Sequence, residues 1–191
     1  MRNLDTPVED GLDELAEELV TKRLGLSLTV AAQIERYRGA ARRDEGIAGD
    51  EVVAIFRLVS RRGDADLVYS DAGRRTARYA ARQLSAFRRG LLGIAPGGLR
   101  RRLGFAAAAQ VAGRLLYATL RPHGTSARVE MRESLATRAQ AAGIGCLYYS
   151  AAFAELLRVL SGFEGAMVHE GCQARGDASC RWSAAAAEGY Q

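Results

Sequence analysis

The chain has 191 residues, 48% of them hydrophobic and 26% charged, a composition that excludes disorder, a collagen-like fibre and a disulfide-framework miniprotein, and leaves one compact domain with room for an extension. Its formal charge of +5 is carried by arginine, because Lys22 is the sole lysine among 27 basic residues. The three cysteines, Cys146, Cys172 and Cys180, all fall in the last quarter; an odd, clustered set favours metal binding over disulfides.

At the start, Thr6-Pro7-Val8-Glu9 reads as a helix cap, followed by an apolar stripe at Leu12, Leu15, Leu19 and Val20. Met1 to Asp10 has no basic start leading into an apolar core, so no secretory signal is expected. No stretch reaches the ~18–20 uncharged apolar residues of a membrane-spanning helix, and a cytoplasmic protein is the expectation. A second helix opens at Ser27 or Thr29 with Val30, Ile34 and Tyr37 inward and breaks at Gly46 to Asp50. Val52, Ile55, Phe56 and Val59 recur at helical spacing and predict a third, with a strand the alternative that their β-branched content allows.

From Asp64 a long helix turns Val68, Ala72, Thr76, Tyr79, Leu84 and Phe87 inward and Arg74, Arg75, Arg78 and Arg82 outward. Gly90 to Gly98 is a turn, and the next helix spans Leu99 to Leu120, stopped by Pro122. The period then changes. Ala127 to Arg132 alternates apolar with charged residues, as a half-buried strand does. A loop from Ser134 to Gly145 delivers Cys146, and Leu147 to Leu160 forms a helix with Phe153, Leu156, Leu157 and Leu160 inward, ended by Gly162. Glu164 to Gln173 and Ser179 to Ser183 read as two strands joined by the turn Ala174-Arg175-Gly176-Asp177. The chain is therefore expected to be α+β, a helical layer on a small antiparallel sheet, with residues 1–63 a helical extension that packs on the core or on a dimer partner and 64–191 the main domain.

Three thiols and one imidazole, Cys146, His169, Cys172 and Cys180, lie within 35 residues and make up the donor set of a closed, structural zinc site. Strand alternation would send His169 and Cys172 to opposite faces, so Gly171 is expected to form a bulge that turns both inward. Glu170 is an alternative oxygen donor in place of His169. His123 reads as an exposed histidine.

The string Val168-His169-Glu170-Gly171-Cys172-Gln173-Ala174-Arg175-Gly176-Asp177-Ala178-Ser179-Cys180-Arg181-Trp182 resembles the closing signature of the 4-vinyl-reductase domain family. Asp71-Ala72-Gly73-Arg74-Arg75-Thr76-Ala77-Arg78-Tyr79 resembles a segment of its bacteriochlorophyll-biosynthesis branch, and Cys146 with Tyr149 and Phe153 also has a counterpart. The resemblance covers about Asp64 to Ser183. It implies helices on an antiparallel sheet enclosing an apolar ligand pocket, a zinc-stapled C-terminal hairpin with His169 where the sensor branch has an acidic ligand, and a homodimer. Phe105, Tyr117, Tyr148, Tyr149, Phe153 and Trp182 are the candidate pocket walls, and outer-face arginines could clamp a carboxylate.

The implied function is binding or delivery of a divinyl (proto)chlorophyllide-type tetrapyrrole, with a pathway enzyme as a possible partner. The alternative is a sensor module for a small aromatic or hydrocarbon ligand. Independent reductase activity has no support in the residues, since no nicotinamide or flavin motif is present. Nucleic-acid binding is not expected, because the charge is modest and no reading motif accompanies it.

Overall fold

The computed structural model describes residues 28–43, 45–84, 96–123, 126–141 and 143–187. The capping box at Thr6, the stripe from Leu12 to Val20 and Phe87 lie outside them. The chain divides into two compact units, Met1–Gly49 and Asp50–Gln191. In the first, helix α1 (Leu28–Arg42) carries half-buried Ile34 and Tyr37, as the spacing predicts.

The second unit begins with α2 (Gly49–Val59), which buries Val53 and Phe56. Next come α3 (Ala65–Arg82) and α4 (Gly97–Leu115). Strands β1 (Thr119–His123) and β2 (Ser126–Met131) form a hairpin, followed by the short α5 (Leu135–Arg138), α6 (Cys146–Ser161), β3 (Gly165–Gly171) and β4 (Cys180–Ala186). The four strands form one antiparallel sheet in the order β1-β2-β4-β3. The α+β expectation holds at this level.

Helix α6 is packed by α3 and α4 and lies against β3. Its neighbours approach through glycine. A Cβ on Gly73 would stand 2.1 Å from the Tyr148 carbonyl oxygen, and one on Gly104 would stand 2.3 Å from that of Leu160. The small residues of α3 and α4 thus serve close helix contact. Gly162, with φ +69, ends α6 where the sequence places its stop.

Four local expectations are corrected. Helix α4 ends at Leu115, not Leu120: Leu116 and Ala118 both donate their N–H to the Ala112 carbonyl, and Tyr117 takes a left-handed φ of 53. Pro122 does not stop a helix but sits in edge strand β1 opposite Ala127, a position that tolerates a residue lacking an N–H. The buried stripe of α3 runs through Ala65, Tyr69, Gly73, Ala77 and Ala80, one position on from the predicted one, and Tyr79 is exposed. The last strand does not stop at Ser183 but runs as β4 through Ala186 and buries Ala184.

Candidate metal centre

Cys146 is the first residue of α6, set there by the turn before it. Its N–H bonds to the Gly143 carbonyl at 3.1 Å, and Gly143 takes a φ of +75. Gly145 fits because a Cβ would meet the Ala136 methyl at 2.9 Å. His169 stands in β3 opposite Trp182 of β4. The ladder then slips between His169 and Gly171, leaving Glu170 as the extra residue of a bulge and bringing Gly171 opposite Arg181. The expected bulge is present, and Cys172 leaves it turned to the same side as His169.

Cys172 opens a tight turn. Asp177 accepts its N–H at 2.7 Å, while the Cys172 carbonyl receives the N–H of Arg175 at 2.8 Å and of Asp177 at 3.2 Å. Gly176 turns the chain at φ +95, and Cys180 then starts β4. Its sulfur accepts the Gln173 N–H at 3.5 Å and lies 3.9 Å from the Thr137 hydroxyl.

These elements bring Cys146, His169, Cys172 and Cys180 together, with one donor atom of each within 4.8 Å of the others and with the Cys146 and Cys172 sulfurs 3.9 Å apart. Zinc–sulfur bonds of about 2.3 Å and zinc–nitrogen bonds of about 2.0–2.1 Å place tetrahedral donors roughly 3.5–3.8 Å apart. Closing on an ion therefore needs adjustments of about an ångström or less. All three cysteines are buried and free of disulfides. Glu170 is exposed and stands outside the group.

The electrostatics favour a cation. Burial pushes the Cys146 thiol far up, and Cys172 and Cys180 beside it push it further, since nearby thiolates repel one another. A bound cation reverses that penalty. His169 is held below the ordinary imidazole range by burial first and by Arg175 second, against an opposing hydrogen bond with the Gly171 backbone and the charge of Asp177. Its ring is therefore neutral near pH 7. Nε2 is buried without a hydrogen-bond partner, and one ring nitrogen of His169 lies within the group of donor atoms. An orphaned buried nitrogen costs about 1–3 kcal/mol unless something binds it, and a metal ion does. The four residues fit a metal ion by donor type, distance and unsatisfied valence.

A chain of rings leads away from the centre. His169 stacks on Trp182 at 4.8 Å and 18°. Trp182 meets Phe153 at 5.3 Å and Tyr149 at 6.0 Å, and Tyr149 meets Tyr148 at 5.1 Å. Phe56 and Tyr69, which sequence reasoning missed, continue the chain from Tyr148 at 5.4 and 5.1 Å. Four of the six candidate wall residues are thus neighbours. Phe105 is buried on α4, but Tyr117 is 83% exposed and stands apart from them. His123 is exposed on β1, away from the metal ligands.

Sequence reasoning also missed Asp177 and Thr137 as supports of the cysteines. The Gly-Asp pair signals a turn, but nothing local shows that its carboxylate closes on Cys172. No helix among the described residues is long and apolar enough to cross a membrane. Comparison with family models, with curated proteins and with solved structures finds no match for the chain.

Proposed function

We propose that this chain is a small-molecule-binding protein of the 4-vinyl-reductase type, fastened by a structural zinc ion and binding or delivering a divinyl (proto)chlorophyllide-type tetrapyrrole. The observation that carries the reading is the convergence of Cys146, His169, Cys172 and Cys180, because one string of residues supplies both the resemblance and most of the donor set. Zinc, when bound, supplies a cross-link between the start of α6 and the β3–β4 hairpin. With four protein donors no position is left for water or substrate, so its role is structural.

The chain's own residues divide the remaining work. Cys146, Cys172 and Cys180 would hold the ion as thiolates, their protons going to solvent, and His169 would hold it through a neutral ring nitrogen. The rings of Tyr148, Tyr149, Phe153 and Trp182, with Phe105 from α4, are the walls proposed for a planar ligand, which must part side chains that pack on one another in the core. Of the outer-face arginines of α3, Arg75 and Arg78 already pair with Asp71 and Glu155, so Arg74 and Arg82 are the proposed bidentate partners for its carboxylates. No residue is assigned to hydride transfer. A homodimer, a pathway-enzyme partner and a cytoplasmic location belong to the same reading.

The test is a titration of the purified, zinc-loaded protein with divinyl protochlorophyllide, followed by absorbance and tryptophan emission. Saturable binding at micromolar pigment is expected. A response to simple phenols or hydrocarbons with none to the pigment would replace the tetrapyrrole reading by the sensor-module one.

A further inference from the structure

The sheet has a second face. Leu120, Ala127, Val129 and Met131 turn into the core, so alternation sends Thr119, Arg121, His123, Ser126, Arg128 and Glu130 to the opposite side. There the register sets Arg121 directly opposite Arg128 and His123 opposite Ser126. Arg128 also faces Ser183 of β4, while Glu130 lies between Thr119 and Arg181. Across the face, His123 and Ser126, whose hydroxyl donates to the Ala184 carbonyl, give way to two guanidinium groups and then to the Glu130 carboxylate opposite Arg181.

Side chains directly opposite in an antiparallel pair have Cβ atoms about 4.5–5.5 Å apart, and like charges so placed destabilise the sheet. Some other arginines of the same unit have carboxylates beside them, Arg62 with Asp64, Arg75 with Asp71, Arg78 and Arg158 with Glu155, and Arg138 with Asp50, while Arg74, Arg82 and Arg102 have none among the described residues but do not face a second arginine across a strand pair. Arg121 and Arg128 are exposed and have no such partner among the described residues. A repelling pair is therefore displayed to solvent on a rigid sheet, where each charge alone is worth little.

We propose that this outer sheet face is a docking surface for an acidic segment of another protein, with carboxylates over Arg121 and Arg128, beside Glu130, which already faces Arg181 of β4. Charge complementarity selects that occupant. A partner that covers the face expels water and converts the repulsion into bidentate guanidinium–carboxylate contacts, which are stronger than their exposed counterparts. A nucleic-acid backbone fits less well, because its evenly repeated phosphates bring negative charge onto Glu130 as well. The surface lies on the side of the sheet away from the metal ligands and the rings, so it stands or falls independently of the proposed ligand function.

The test uses the full chain and a fluorescein-labelled peptide of alternating Glu and Thr ending in Lys, followed by fluorescence anisotropy. The expected result is binding weakened at least about tenfold between roughly 50 and 500 mM salt and by the double change Arg121→Thr with Arg128→Thr, but unaltered by Arg100→Ser at the start of α4. Charge reversal, Arg121→Glu with Arg128→Glu, should transfer binding to a Lys-Thr peptide. Without peptide, the double Thr variant should melt no lower than the parent, since a repulsion has been removed. Equal peptide affinity for parent and Thr variant, tighter binding of a single-stranded DNA oligonucleotide than of the peptide, or a lower melting temperature for the Thr variant would each overturn the proposal.

Discussion

The carboxylate of Glu155, only 6% exposed, accepts hydrogen bonds from Arg158 of its own helix and from Arg78 of α3, at 2.8 and 2.7 Å. Arg158 first, and Arg78 after it, hold its pKa down to about 2 against the opposing effect of burial. A group with a depressed folded pKa stabilises the fold above its unfolded value near 4.5, and that stabilisation is lost as pH falls from there through about 2. Both arginines are about half exposed, so water discounts the contribution to about 1–2 kcal/mol. Glu155→Gln should thus lose about that much at pH 7 and little at pH 2, measured by urea unfolding across the range. An equal loss at both pH values would contradict the ion-pair account. Nothing in the sequence announces this pair, because Arg78 and Glu155 are 77 positions apart and each reads locally as a solvated helix residue. The candidate metal ligands were legible for the opposite reason: thiols and imidazoles are scarce in this chain, so four of them in one short span is a signal in itself.

Between helices, the tightest of the glycine contacts is the α3–α6 approach at Gly73. A methyl group there would press on the Tyr148 carbonyl, and backbone cannot move aside as a side-chain tip can. Gly73→Ala should therefore cost about 1–3 kcal/mol or more by overpacking. Gly113→Ala on α4 meets only the Ala118 oxygen at 3.9 Å and should instead stabilise by about 0.5–1 kcal/mol through helix propensity. Thermal unfolding of both variants makes the comparison, and similar effects in the two would refute the close-approach reading. Elements with strong periodicity, such as β2 and α6, were readable from the sequence. Pro122 was not, because a proline looks the same at the end of a helix and in an edge strand; only the pairing with Ala127 separates the two. The phase of α3 was hidden for a related reason, since its inward positions apart from Tyr69 are glycine and alanine, residues with little hydrophobic signal.

Taken as one molecule, the 50–191 unit hangs together through three layers of contact: α3 and α4 on α6, α6 on the sheet, and the cysteine–histidine group at the end of both. Metal binding to such a group is folding free energy, because its ligands are scattered in the unfolded chain. The purified protein should hold about one metal ion per chain, and Cys180→Ser should lower stability by several kcal/mol and release the metal. Elemental analysis with calorimetry checks both; three titratable thiols, near-zero metal and an unaltered melting temperature in the variant would remove the site. The α+β plan followed from the change of period after Pro122, whereas the strand order did not, because β4 pairs with β2 and β3 at once and no local pattern encodes that. That order has a consequence for synthesis. Strand β4 follows β1, β2 and β3 along the chain yet lies between β2 and β3, so a nascent chain carries β2 with one bare edge and β3 without a neighbour until β4 leaves the ribosome. The same strand brings Cys180, so the sheet closes and the metal site is completed at one late moment, and until then the growing chain exposes strand edges open to aggregation.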